Sequence, residues 1–127
     1  MRKGIKADSR VPFESIFFDG NFNTPLTREK AGKLARPLEM VRWAPSAVNK
    51  QPWRVVVKEG AAHFYLKHAK GYVSDSVGDM QKIDMGIALC HFALTAQEDG
   101  LTVRFALSDP GIPAEAGTEY IASYLLD

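Results

Sequence analysis

The chain is 127 residues long, 46% hydrophobic and 24% charged, with a net charge of +1. That is one small domain with ample material for a core, which excludes a disordered polymer, and no field of one sign is present to draw in nucleic acid or an anionic membrane. One cysteine, Cys90, excludes an internal disulfide, and no apolar run approaches the ~20 residues of a bilayer span.

Residues 1–10 are polar and basic without a period, so a mobile arm is expected there. Met1-Arg2-Lys3 is followed by Lys6, Asp8 and Arg10 instead of an apolar stretch, which argues against a secretory leader and for a cytoplasmic protein. Pro12 suits the first turn of a helix, and Phe13, Ile16 and Phe17 fall at i, i+3 and i+4; that helix should stop by Asp19-Gly20. Thr27 is placed to cap a helix carrying Leu34, Leu38 and Val41, with Pro37 expected to kink it or split it into two abutting helices.

Residues 54–58 read as a strand, 59–62 as a turn and 63–67 as a second strand, making a hairpin. His63 and His68 stand five apart, on opposite faces of a strand, so a zinc site is not expected. Residues 71–78 read as loop. From Asp79 a helix should run to residue 99, with Ile83, Ile87, Cys90 and Leu94 on its apolar stripe, Leu89, Phe92 and Ala93 widening it, and Gly100 as its left-handed stop. Such a long apolar helix is expected to be buried on more than one side, with Cys90 as a small buried hydrophobe. Strands are expected at 102–107 and 120–126, giving an α+β layer in which helices cover an antiparallel-rich sheet.

The segment between the second of these abutting helices, which ends in Arg42 and Trp43, and the first hairpin strand has a different character. It reads Ala44-Pro45-Ser46-Ala47-Val48-Asn49-Lys50-Gln51-Pro52-Trp53-Arg54. The prolines bias Ala44 and Gln51 toward extended backbone, so a loop of fixed shape is expected. Ser46, Asn49 and Gln51 can donate to and accept from the edge of a planar polar ligand, and Arg42, Lys50 and Arg54 surround the loop with cations suited to a phosphate. Asn49 and Ser46 also serve as turn formers, and Trp53 is expected in the core.

This loop resembles the flavin-binding loop of the nitroreductase family. The run Ile83-Asp84-Met85-Gly86-Ile87-Ala88-Leu89-Cys90-His91-Phe92 is similar to the long central helix of a subgroup built from two similar halves, and Pro12–Phe18 with Phe22–Leu26 is similar to the segment preceding the second half. The resemblance covers the chain from Pro12 onward and implies a nitroreductase-like α+β half-domain over 27–127 preceded by an N-terminal arm over 1–26. It implies FMN as cofactor, held by Pro45, Ser46, Ala47, Asn49 and Gln51 with Arg42 and Lys50 nearby. It further implies electron transfer from NAD(P)H to nitro or quinone-type acceptors, and a homodimer or a pairing with an N-terminal half. The family's Arg-x-Ser-x-Arg phosphate segment has only Ser9-Arg10 as an echo, so a non-catalytic flavin-binding or dimerising half-domain is the alternative.

Overall fold

The structure, a computed structural model, describes residues 12–44, 53–67, 75–114 and 117–126, and the side chains of all these except residues 75–82. The expected N-terminal arm lies outside them. The elements in chain order are α1 (Phe13–Ile16), β1 (Phe17–Asp19), α2 (Arg28–Ala31), a 3-10 turn (Gly32–Leu34), α3 (Ala35–Arg42), β2 (Trp53–Lys58), β3 (Ala61–Lys67), α4 (Asp75–Glu98), β4 (Val103–Ala106) and β5 (Thr118–Leu126).

The helix at Pro12 is real but lasts one turn. Phe17 is already extended, at φ −117° and ψ 139°, because Phe17-Phe18-Asp19 pairs in parallel with Val55-Val56-Val57. Aromatic residues fit a pleated surface, and here sheet pairing overrides the i, i+4 helical spacing. Thr27 caps α2 as expected, its hydroxyl accepting from the Lys30 amide at 3.2 Å. The interrupted helix resolves into two pieces: Gly32, at φ +56°, ends the first, and Pro37 lies in the opening turn of α3, where its missing N–H has no intrahelical partner to lose.

The hairpin forms through Glu59 (φ +51°) and Gly60 (φ +76°), a two-residue turn with positive φ at both positions, which matches the twist of the flanking strands. The five strands lie in the order β1-β2-β3-β5-β4, with antiparallel pairing everywhere except between β1 and β2. A register shift interrupts the β3–β5 ladder between Phe64 and Tyr65.

One face of this sheet carries the main core. Trp53, Val55, Ala62, Phe64 and Leu66 pack beneath Phe13, Leu34, Leu38, Val41, Met85, Ala88 and Phe92. Phe64 meets Phe92 edge-on at 5.4 Å, and Phe92 stacks on Tyr124 at the same separation. The other face holds a smaller cluster, Val56, Tyr65 and Ile112, flanked by Phe18, Phe22 and Tyr120. Beside it runs a polar chain in which the buried Ser123 hydroxyl lies 2.6 Å from His63 Nδ1 and 2.6 Å from the Tyr120 hydroxyl, which itself accepts from the Ser108 amide. The Tyr65 hydroxyl is buried near this chain without a hydrogen-bond partner among the described residues. Burial first, then Asp109 and Tyr120, push it up to about 12.

α4 departs from expectation in start and in orientation. It begins at Asp75, so Gly78 sits inside the helix; an interior glycine costs about 1 kcal/mol relative to alanine, which a 24-residue helix tolerates. Its buried face is Asp84, Met85, Ala88, Phe92, Thr95 and Ala96, whereas Ile83 and Leu94 are 63% and 57% exposed and Cys90 is exposed. Of the face expected to be buried, Ile83, Cys90 and Leu94 turn outward, whereas Ile87 and Leu89 pack against the core and Phe92 lies within it. Both faces are apolar, and the aromatic Phe92, fitting against Phe64 and Tyr124, decides which of them turns inward. Gly100, at φ +79°, stops α4 as expected, with the Leu101 amide reaching back to the Ala96 carbonyl at 2.9 Å.

Candidate functional site

The residues singled out in the sequence divide here. Pro45, Ser46, Ala47, Asn49, Lys50 and Gln51 lie outside the described residues, while Arg42 and both ends of the loop lie within them. The near end is the last turn of α3. Ala44 is fully buried and its amide is tied to the Val41 carbonyl at 3.0 Å. The far end is Trp53, also fully buried, which opens β2 opposite Leu66. The residues on either side of the loop, Ala44 and Trp53, are thus both held in the core.

At the near end, Glu39 gathers three donors. Arg42 Nη1 lies 2.8 Å and Trp43 Nε1 2.7 Å from one carboxylate oxygen, and Arg28 Nη2 lies 2.9 Å from the other. Partial burial raises the Glu39 pKa, but the hydrogen bonds from Arg28 and Trp43 and the charges of Arg42 and Arg28 outweigh it and hold the carboxyl below its ordinary value. Arg42 also sits over the Trp43 ring at 5.4 Å, and Arg28 over Phe13 at 4.7 Å. The cluster fixes the end of α3, with Trp43 44% exposed at the mouth of the loop. Glu39 was legible in principle: Arg42 and Trp43 follow it at i+3 and i+4, the spacing at which helical side chains meet.

At the far end, the Arg54 guanidinium folds back on the chain and donates to the Trp53 carbonyl at 2.7 Å, and burial lowers its pKa. Trp53 Nε1 is buried without a hydrogen-bond partner among the described residues.

By residue type the loop carries one hydroxyl, Ser46, and two amides, Asn49 and Gln51, groups that can both donate and accept. The phosphate end is served less well, since Arg42 is already ion-paired with Glu39. Among the described residues no three His, Cys, Asp or Glu side chains gather as metal ligands, and no helix is long and apolar enough to cross a membrane.

Among solved structures, the chain is similar to the crystal structure of a putative nitroreductase from Thermotoga maritima. The two are 23% identical with a TM-score of 0.56, and the match covers 93% of this chain and 41% of that one. The likeness shows a shared fold, and this chain spans about two fifths of the length of that protein. No curated protein matches the chain. A family model described as "Putative TM nitroreductase" matches residues 24–96. That span is more than half of the chain and takes in α2, α3, the proline-framed loop, the β2–β3 hairpin and most of α4; the chain belongs to this nitroreductase family.

Proposed function

We propose that the chain is one half of an FMN-dependent oxidoreductase that passes electrons from NAD(P)H to nitro or quinone-type acceptors in the cytoplasm. The observation that carries this reading is a proline-framed loop with the family's residue types, rooted in buried Ala44 and Trp53, inside a chain that belongs to a nitroreductase family. In this reading residues 27–127 form the half-domain, and residues 1–26 form an arm whose aromatic segment completes its core.

When bound, FMN supplies the redox chemistry itself, and the protein positions and tunes it. In this reading Pro45 and Ala47 would shape the loop, Ser46, Asn49 and Gln51 would hydrogen-bond the ring edge, and Lys50 and Arg42 would serve the phosphate. Glu39 competes with that phosphate for Arg42. A charge-assisted hydrogen bond contributes about 1.5–3 kcal/mol, so sharing Arg42 weakens the phosphate grip by on the order of tenfold to a hundredfold. The site is therefore completed by a second copy or by an N-terminal half. The outer face of α4, with Ile83 and Leu94 more than half exposed, offers the apolar surface for that pairing.

The ion-paired Arg42 also favours a second reading, a flavin-binding or dimerising half-domain without catalysis. An anaerobic titration with reduced nicotinamide in the presence of added FMN separates the two: the enzyme bleaches the visible flavin band faster than free FMN, and the binding module bleaches it no faster. Asn49→Ala tests the loop directly. It should lower FMN retention about tenfold while the melting temperature of the flavin-free protein stays constant. Lost stability with unchanged FMN retention would make Asn49 a turn residue and remove the assignment.

A further inference from the structure

Between β4 and β5 the chain does not turn back directly. From the β4 edge, residues 107–114 reach over the thinly covered face of the sheet, where Ile112 is buried against Val56 of β2 and Tyr65 of β3. We propose that this segment is a strap latched by a proton-sensitive hydrogen-bond chain: His63 with an unprotonated Nδ1 holds it down, and a proton taken up at that nitrogen lets it lift.

The β3–β5 register builds the latch. Tyr65 pairs with Tyr120 but Phe64 pairs with Ala122, so Ile121 is an extra residue in β5. In a regular strand, residues 120 and 123 would point to opposite faces; the extra residue puts Tyr120 and Ser123 on the same one. Their hydroxyls meet at 2.6 Å. Ser123 Oγ lies 2.6 Å from Nδ1 of His63, its neighbour across the ladder, and the Ser108 amide of the strap donates to the Tyr120 hydroxyl at 2.9 Å.

With Nδ1 unprotonated, this chain runs in one direction. The Ser108 amide donates to Tyr120, Tyr120 donates to Ser123 and Ser123 donates to His63, so that successive bonds strengthen one another. A proton on Nδ1 turns that nitrogen into a donor. Ser123 must then accept from His63 and give its own proton to Tyr120, whose oxygen now faces two donors and whose own proton has lost its acceptor in the chain. Of those two donors the Ser108 amide is the one that can leave, because the strap belongs to no helix or strand.

The charged and titratable groups around His63 are Lys58 of β2, Tyr65 of β3, Tyr120 of β5 and Asp109 of the strap. Burial, then Lys58, disfavour the charged ring, and Asp109 favours it to a lesser extent. Burial is the largest of these influences, so a proton favours the state in which the strap has lifted and water reaches the ring. Lifting uncovers Val56 and Tyr65 beside a cavity of about 250 Å³, one of whose walls is Phe22, in edge contact with Tyr65 at 4.9 Å.

The test is an NMR titration of the full flavin-free chain from about pH 8 to about pH 5, which spans the range in which a histidine changes charge. At the alkaline end the His63 ring should carry no proton on Nδ1. As His63 titrates, the hydrogen-exchange protection factor of the Ser108 amide should fall about tenfold. The Ile112 methyl shifts should move with the same midpoint, and the Phe92 amide in the main core should lose less protection than Ser108. His63→Gln should remove this step. Tyr120→Phe, which deletes only the accepting hydroxyl, should leave Ser108 weakly protected throughout. A proton on Nδ1 at the alkaline end would overturn the proposal, as would constant Ser108 protection through the His63 titration or a step that survives in either variant. Equal loss at Phe92 and Ser108 would also overturn it, because the whole sheet would then be opening. None of these readouts involves FMN, so they stand or fall separately from the redox assignment.

Discussion

The two faces of the sheet are built on different principles. On the helix-covered face, Phe64 meets the stacked rings of Phe92 and Tyr124 edge-on in a core to which α1, α3 and α4 all contribute. On the opposite face three buried residues, Val56, Tyr65 and Ile112, are supplemented by a run of hydrogen bonds through His63, Ser123 and Tyr120. The first face depends chiefly on volume and shape. The second relies on hydrogen bonds as well, and it retains a cavity and a Tyr65 hydroxyl without a partner among the described residues, as the first face retains the Trp53 Nε1.

The largest test of this contrast is Phe64→Ala, which empties the middle of the aromatic cluster. It should cost about 3–5 kcal/mol in chemical denaturation. Ser123→Ala attacks the other face with almost no change in volume, yet leaves the buried His63 Nδ1 without its partner; a loss of about 1–3 kcal/mol is expected. If the serine variant proved neutral, the polar chain would be incidental and the contrast would fail.

Acid offers a gentler probe. Burial, then the Lys58 charge, hold the His63 pKa below its ordinary 6.5 against a smaller upward pull from Asp109. The folded ring thus binds fewer protons than the unfolded one. Its contribution to stability is fully present above about pH 6.5 and fades as the pH falls below that value. Melting temperatures between pH 7.5 and pH 5 should decline in the parent chain, and His63→Gln should flatten part of that decline.

The smallest effect belongs to neither face. Leu94→Ser, on the outer side of α4, should change stability by no more than about 0.5 kcal/mol in dilute solution, because the side chain is 57% exposed. Sedimentation of the same variant reports whether that side of α4 carries the proposed pairing.

Much of this architecture could be read from residue types. Thr27 as a cap, Pro37 in the first turn of α3, a hairpin here (with a turn of two residues where 59–62 was expected), Gly100 as a stop and Trp53 in the core all follow from local rules, because each residue's preference agrees with its surroundings. The failures share one cause. Phe17 fits a helix by its spacing from Phe13, yet it and Phe18 enter the sheet because Val55–Val57 lie ready to pair with them, a contact some forty residues away. On α4, Ile83, Cys90 and Leu94 form as convincing a stripe as Met85, Ala88 and Phe92, and no local signal says which side the sheet occupies. The chemistry of the proline-framed loop was legible as residue types. The Glu39 cluster beside it was not identified, because an acid flanked by two arginines and a tryptophan reads as ordinary helix surface until their distances are known.

The position of β5 governs how this protein can be handled. It lies between β3 and β4, and with β4 it falls after residue 96, while Phe13, Ile16 and Phe17 fall before residue 24. An expression clone trimmed to the family-matched span would strip β3 of its neighbour along seven residue pairs and remove three fully enclosed side chains from the other flank. Laboratory versions should therefore begin no later than Pro12 and extend through Leu126.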